Sequence, residues 1–301
     1  MSLIMFWTRA FCVLLVIITV CHSDSPVPAP RYILNLDVAP EKRWNDIVSH
    51  WNLTKIHEEL AYVMKEEIPE MLVPVVELLA SDIDKYIPEP YSSEMVGVAK
   101  AMGIKLGDIV TLNLLYDITA SCTSIVAEDS NGQIWHGRNL DYTFTSILRN
   151  LTLTYDAQIN GTTVFTASTF LGFVGVLTGI KPKVFTLSID ERDQGELWEN
   201  LIELVNALLM GEASLVTLLS RDAMMKANTF ESAVKLMSET QIVAPAYYII
   251  GGVQPGEGAV ITRDRLTAKD VWRLDSKNKR WFLVETNYDH WLPPPSSDDR
   301  R

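Results

Sequence analysis

Of the three cysteines in this chain, Cys12 and Cys21 lie in an apolar N-terminal stretch that reads as a removed leader, which leaves Cys122 in Ser121-Cys122-Thr123. With no second thiol to pair with, Cys122 is better suited to reactivity than to stapling. Cysteine is a nucleophile only as its thiolate, so it needs a base or a positive charge beside it. The histidines on offer are His50, His57, His136 and His290, and none stands in a familiar cysteine-protease context. His57 falls on an amphipathic helical stretch, where a solvated or packed imidazole is the ordinary outcome. Strand alternation from Gln133 leaves the direction of His136 open. These histidines lack metal-ligand spacing, and without a second cysteine a zinc site is not expected.

A base needs no histidine if the chain is cut between Ser121 and Cys122. Cys122 would then be N-terminal, and its α-amine, with an unperturbed pKa near ~7.7, would lie beside its own thiol. One residue supplies nucleophile and base, an arrangement used by N-terminal threonine and equally available to a thiol. Spacing alone leaves a buried, inert cysteine just as open.

The elements that must position Cys122 divide at that residue. Met1 to Ser23 carries Arg9, the apolar run Ala10 to Val20 and Cys21-His22-Ser23, a pattern expected for a signal peptide and too short to span a bilayer comfortably. Sequons at Asn52, Asn150 and Asn160 agree with export and glycosylation. After a flexible Asp24 to Pro30, Arg31 to Asp37 alternates like a strand, and Glu41 to Ile118 reads as helix punctuated by Pro69, Pro74, Pro88 and Pro90. From Cys122 the period changes to two. Cys122 to Asp129 and Gln133 to Gly137 form an expected hairpin around Ser130-Asn131-Gly132, and Leu151 to Ala157 pairs with Thr162 to Phe170 around Asn160-Gly161. Helices are expected over 196–210, 213–226 and 230–238, and strands over 246–250, 258–262, 271–274 and 280–285. Strands, then helices, then strands imply an α+β fold of sheets covered by helices. With 48% hydrophobic and 21% charged residues the chain can bury a large core. Its net charge of -12, with Lys and Arg scattered, argues against nucleic acid as a partner. The acidity suits an acidic lumen, where many carboxylates titrate, and suits simple solubility equally well.

Cys122-Thr-Ser-Ile-Val-Ala-Glu-Asp129 is followed in order by His136-Gly-Arg-Asn-Leu-Asp-Tyr142, Phe173-Val-Gly-Val-Leu-Thr-Gly179, Asp190-Glu-Arg-Asp193, Tyr248-Ile-Ile-Gly-Gly252, Ile261-Thr-Arg-Asp264 and Glu285-Thr-Asn-Tyr-Asp-His-Trp291. Together, and over nearly all the mature chain, these strongly resemble the acid ceramidase and N-acylethanolamine-hydrolysing acid amidase family. The resemblance implies an N-terminal nucleophile hydrolase, made as an inactive precursor that cuts itself before the nucleophile and folded as a four-layer αββα sandwich. Residues 24–121 would be a mostly helical α subunit and 122–301 the β subunit, both from one precursor. Position by position, the resemblance implies Cys122 as nucleophile, Arg138 and Asp141 beside it, Asn287 in the oxyanion hole and Arg300 as a second arginine. It puts Tyr142 and Glu191 near the substrate amide and the cut at Ser121-Cys122. These roles make physical sense. Arg138 would favour the thiolate, Asp141 would accept a hydrogen bond from the amine, and Asn287 would donate its amide N–H to the oxyanion. The residues themselves also allow a surface ion pair for Arg138 and Asp141, three apart just after a strand, a turn asparagine at 287, a packed tyrosine at 142 and a solvated glutamate at 191.

The substrates this resemblance implies are lipid amides, hydrolysed in the lysosome lumen without a cofactor. They are N-acylethanolamines, giving fatty acid and ethanolamine, or ceramides, giving fatty acid and sphingosine. Asp190 to Asn200 is more similar to the ethanolamide-hydrolysing branch, as is the absence of cysteine from 24–121, because acid ceramidase ties its subunits by a disulfide. Ile242 to Tyr247 is more similar to the ceramidase branch. Apolar stretches at 68–87 and 196–210 fit peripheral contact with lysosomal membrane lipids, an acyl channel, or plain core packing. Relatives continue beyond a motif such as Asp298-Asp-Arg-Arg301, so Arg300 is expected on an end that frays. An unprocessed luminal glycoprotein that binds lipid without hydrolysing it is the alternative of another class.

Overall fold

In the computed structural model the described residues are 28–66, 73–119, 121–141, 145–192 and 213–293. The expected leader, the expected helix over 196–210, Tyr142 and Arg300 lie outside them.

Strand β1 (Arg31–Asn35) leads into helices α1 (Asn45–Ser49), α2 (Leu53–Glu66), α3 (Val73–Ser81), α4 (Ile83–Tyr86), α5 (Tyr91–Met102) and α6 (Leu106–Thr119). On α2 the buried residues Ile56, Leu60 and Val63 recur at helical spacing, which is why this stretch folds as an amphipathic helix against the core. Glu94 of α5 is fully buried and accepts hydrogen bonds from Arg221 at 2.6 and 2.7 Å, from Arg43 at 2.8 Å and from Trp44 Nε1 at 2.8 Å. Burial alone would push this carboxyl up; the Arg221 charge and the three donors outweigh it and hold the group below its ordinary value.

Strands β2 (Ser121–Glu128) and β3 (Ile134–Asp141) form a hairpin whose turn is fixed by the Asp129 carboxylate, which accepts the Asn131 and Gln133 N–H groups at 2.8 and 3.0 Å. The expected strand ended at Gly137, but β3 pairs with β2 along its whole length, from Glu128 opposite Ile134 to Ser121 opposite Asp141. Arg138 and Asp141 are therefore on the strand rather than just after it. Burial alternates along β3, so Arg138 faces inward and Asp141 outward, which removes the reading of a surface ion pair between them.

Next come α7 (Thr145–Leu151), β4 (Thr152–Ile159) and β5 (Thr162–Phe170). The β4–β5 turn places Asn160 and Gly161 at φ 49° and 71°, the left-handed pair that an Asn-Gly hairpin supplies cheaply. Strands β6 (Thr178–Lys181) and β7 (Phe185–Glu191) were not expected; β7 alternates apolar and polar residues from Phe185 to Asp190, but both of its faces are covered, Phe185, Leu187 and Ile189 by the core under the helices and Ser188 and Asp190 by the small sheet. The chain ends its described part with α8 (Val216–Lys226), α9 (Phe230–Glu239), β8 (Ala246–Gly251), β9 (Gly258–Arg263), β10 (Ala268–Arg273) and β11 (Phe282–Glu285). Thr229 and Ser232 form a reciprocal capping box at the start of α9.

Eight strands make one sheet in the order β1-β4-β5-β6-β7-β8-β9-β10, with β1 parallel to β4 and the other pairs antiparallel. A three-stranded sheet, β11-β2-β3, faces it. The alternation of β8 shows the layering: Tyr248 and Ile250 join the core under the helices, while Tyr247 and Ile249 join a second core against the small sheet with Val126, Val260, Leu274 and Leu283. Among the described residues the layers therefore run helices, large sheet, small sheet. The outward face of the small sheet carries Ile125, Trp135 and Phe282, which are exposed.

Candidate active site

Cys122 is the second residue of β2, turned inward and fully buried. Two segments bring side chains to it. From β3, Arg138 Nη2 donates to Cys122 Sγ at 3.4 Å and to the Ile189 carbonyl at 2.9 Å, while Nη1 donates to Thr178 Oγ1 at 2.9 Å. The guanidinium is thus pinned by β6 and β7 with its charge against the sulfur, which favours a thiolate over a thiol. From the segment after β11, buried Asn287 accepts the Cys122 backbone N–H at Oδ1, 3.0 Å away, and donates through Nδ2 to the Glu191 carbonyl at 2.6 Å.

The segment carrying Asn287 is clamped two residues further on. Arg192 donates to both carboxylate oxygens of Asp289 at 2.8 and 2.9 Å and to Asp264, and Tyr247 OH donates to Asp289 at 2.8 Å. Burial would raise the Asp289 carboxyl; the bidentate Arg192 and the Tyr247 hydroxyl hold it below the ordinary range. Arg192, Asp264 and Asp289 belong to three motifs far apart in the chain. The motifs marked them in the sequence, but only the fold shows that they act together.

Beside Arg138 lies a cavity of about 500 Å³ whose apolar wall includes Leu140, Leu148, Phe170, Leu177 and Leu187, and whose polar lining includes a second arginine, Arg149, His136 and several Thr and Ser hydroxyls. Leu140 is the register partner of Cys122, so the apolar wall begins one strand away from the thiol. Apolar walls that reach a fixed cation, Arg138, itself in contact with Cys122, suit a long acyl chain with a polar linkage at one end. Among the described residues no group of acidic, histidine and cysteine side chains could hold a metal ion. No described helix is long and apolar enough to cross a membrane.

Of the residues singled out in the sequence, the structure brings Cys122, Arg138 and Asn287 into direct contact, and it brings in Glu191 through its backbone carbonyl. Asp141 stands opposite Ser121 in register, and its exposed carboxylate accepts hydrogen bonds from Asn139 Nδ2 at 2.8 and 3.0 Å. One N–H of the Asn287 amide goes to the Glu191 carbonyl, and its NH2 group carries a second donor. The sequon residues Asn52, Asn150 and Asn160 are all exposed.

This site sits between the facing sheets that define the N-terminal nucleophile sandwich, and comparison with known proteins agrees. The family of linear amide C–N hydrolases, choloylglycine hydrolase family, matches residues 122–299, and the beta subunit of N-acylethanolamine-hydrolyzing acid amidase matches residues 27–87. The N-acylethanolamine-hydrolyzing acid amidase of Rattus norvegicus is 43% identical over 279 residues, 93% of this chain and 76% of the relative. Acid ceramidase of Homo sapiens is 38% identical over 291 residues, 90% of this chain and 73% of the relative. A solved structure, the Caenorhabditis elegans N-acylethanolamine-hydrolyzing acid amidase ortholog, superposes with a TM-score of 0.53 at 39% identity, covering 56% of this chain and 71% of that one. The chain belongs to the linear amide C–N hydrolase family of the choloylglycine hydrolase type and is an amide hydrolase.

Proposed function

We propose that this protein is a cysteine amidase that cuts itself between Ser121 and Cys122 and then hydrolyses N-acylethanolamines to fatty acid and ethanolamine in the lysosome lumen. The observation that carries the reading is that the two reactive atoms of Cys122 are held separately: its nitrogen by Asn287 Oδ1 and its sulfur by Arg138 Nη2. In the cut, Cys122 Sγ bonds to the Ser121 carbonyl carbon, the C–N bond breaks, and the nitrogen takes up a proton. Water hydrolyses the thioester, leaving a carboxylate on Ser121 and an α-amine on Cys122. The nitrogen that Asn287 now holds becomes the base of the next reaction.

In turnover, Sγ attacks the acyl carbonyl and its proton passes to the α-amine, which delivers it to the departing ethanolamine. Water, deprotonated by the same amine, then releases the fatty acid. The cavity beyond Arg138 takes the acyl chain. Arg138 stabilises the thiolate. Asn287 serves the oxyanion with the second N–H of its Nδ2, the first staying on the Glu191 carbonyl, and Asp141 reaches the new amine when the end of β2 is released by the cut. Arg300, Tyr142 and the Glu191 side chain complete the substrate end of the site.

Two further observations support the two-subunit reading. The two family matches lie on either side of the proposed cut, at 27–87 and 122–299. The buried Glu94–Arg221 pair joins the segments across it without a disulfide. Export through a signal peptide, glycans on Asn52, Asn150 and Asn160, and peripheral contact with lysosomal membrane lipids belong to the same proposal.

The test is intact mass of the secreted protein and of Cys122→Ser before and after incubation at about pH 4.5, a value near the carboxylate range where the surface charge falls. The expected result is a new fragment beginning at Cys122 in the wild type alone, followed by faster release of fatty acid from an N-acylethanolamine than from a ceramide. An intact wild-type chain, or preference for ceramide, overturns the corresponding half of the reading.

A further inference from the structure

A second polar constellation lies between the sheets, one step along each strand from the reactive pair. Ser124, two residues after Cys122 on the same face of β2, donates to Asp190 Oδ1 at 2.8 Å and lies 2.8 Å from Ser188 Oγ. Ser188 Oγ is 2.9 Å from His136 Nε2, and His136 Nδ1 is 2.8 Å from Thr186 Oγ1, which in turn reaches the Gly251 carbonyl at 3.1 Å. His136 precedes Arg138 by two residues on the inward face of β3, and both line the cavity. Gly251 is required for this arrangement. A Cβ there would lie 2.9 Å from Thr186 Oγ1 and 3.7 Å from His136 Cβ.

Counting hydrogens along the chain gives it a direction. Asp190, Ser124, Ser188, His136, Thr186 and the Gly251 carbonyl are joined by five links. Three hydroxyls and a neutral imidazole own one hydrogen each, one short of the number of links. With an ionised Asp190 and a neutral His136, one link must stay unfilled, and an unfilled contact among buried polar groups is costly. Adding one proton to the ring lets Nε2–H donate to Ser188, Ser188 to Ser124, Ser124 to Asp190, Nδ1–H to Thr186, and Thr186 to Gly251.

We propose that His136 is a positioning residue for the thiol chemistry: its ring takes up the one hydrogen this chain lacks and closes the seam that holds β2 at Cys122 and β3 at Arg138 against β7. The inference rests on the reading of Cys122 as nucleophile. The charged groups around the ring are Arg138 on its own strand, Arg149 across the cavity on α7, Asp190 on β7 and Glu285, which pairs in register with Ser124 on β11. Burial, and then the Arg138 charge, hold the imidazole down at about 4. The seam is therefore incomplete at neutral pH and closes only as an acidic compartment is reached.

The test follows the histidine by long-range proton–nitrogen NMR of the self-cleaved protein, with the His136 signal assigned by its loss in His136→Gln. Alongside it, kcat and KM for ethanolamide hydrolysis are measured against pH. The ring is expected to gain its proton near pH 4. In the wild type kcat should climb over the same interval. In His136→Gln, which carries a donor and an acceptor but cannot titrate, that climb should vanish and kcat fall by about tenfold, the worth of one hydrogen bond at the barrier, with KM little changed. Ser188→Ala keeps the ring but breaks the chain, and should flatten the profile in the same way, which guards against a folding failure of the first variant. A His136 that titrates at the ordinary value, or variants whose profiles keep the wild-type shape, would overturn the proposal. If the wild type cuts itself but hydrolyses no ethanolamide, the substrate reading fails by itself, and the pH dependence of the cut in the same variants decides the role of His136.

Discussion

The β2–β3 hairpin meets the large sheet in two unlike ways. At its Cys122 end the contact is made of Arg138, His136, Ser124, Ser188 and Asp190, each joined to the next strand by a hydrogen bond. At its turn end the contact is dry: Val126 with Leu283, Tyr247, Ile249, Val260 and Leu274. Ser124 and Val126 point the same way from the same strand, two residues apart. Apolar packing holds surfaces together with little regard to angle, whereas hydrogen bonds fix angle and are costly when a link fails. The dry end supplies attachment, and the wet end supplies the geometry that a nucleophile and its cation need.

The comparison is broken most sharply by Arg138→Met. Removing the guanidinium leaves the thiol without the charge that favours its ionised form and strips donors from Thr178 and Ile189. A fall in kcat/KM on the order of 10² to 10³ is expected, the range for losing one fixed electrostatic donor in an active site. Arg138→Lys, which keeps the charge but not the fork, should recover only part of it. Steady-state kinetics of both variants, with circular dichroism to show that they fold, make the check. Equal loss of stability and rate in the two would mean that the wet end is merely adhesive.

At the dry end the order of effects reverses. Leu283 is fully buried opposite Val126. Leu283→Ala should cost about 2 to 5 kcal/mol in urea unfolding, as a large-to-small change that leaves a cavity. The rate of the folded fraction should stay near that of the wild type. A variant that unfolds normally but reacts slowly would show that the anchor also sets the geometry.

How much of this was legible in the sequence follows the same division. Cys122 at the head of a strand, the helical run before it and the Asn160-Gly161 turn were readable, because an apolar stripe or a turn residue announces each of them. Strands β6 and β7 and the last four residues of β3 were not. A period-two pattern presupposes apolar residues inward and polar ones outward. On β3 the inward positions include His136 and Arg138, which hides its last residues, and on β7 the alternation of Phe185 to Asp190 is present but its polar set, Ser188 and Asp190, faces the small sheet instead of water. The clamp of Arg192 on Asp264 and Asp289 was hidden for another reason: its members are 72 and 97 residues apart, and nothing in the local sequence says that they meet.

The smallest effect is expected on the other face of the same strand. Ile125 lies between Ser124 and Val126, points away from both seams and is 43% exposed, opposite Val284 on one side and Gly137 on the other. Ile125→Thr keeps the branched Cβ that a strand favours and gives water a hydroxyl where it already met a methyl group. Urea unfolding should therefore shift by no more than about 0.5 kcal/mol, the usual limit for a surface change away from special features, and the rate should not move. A loss comparable to that of Leu283→Ala would mean that in solution this face is covered, and that the hairpin is held from three sides rather than two.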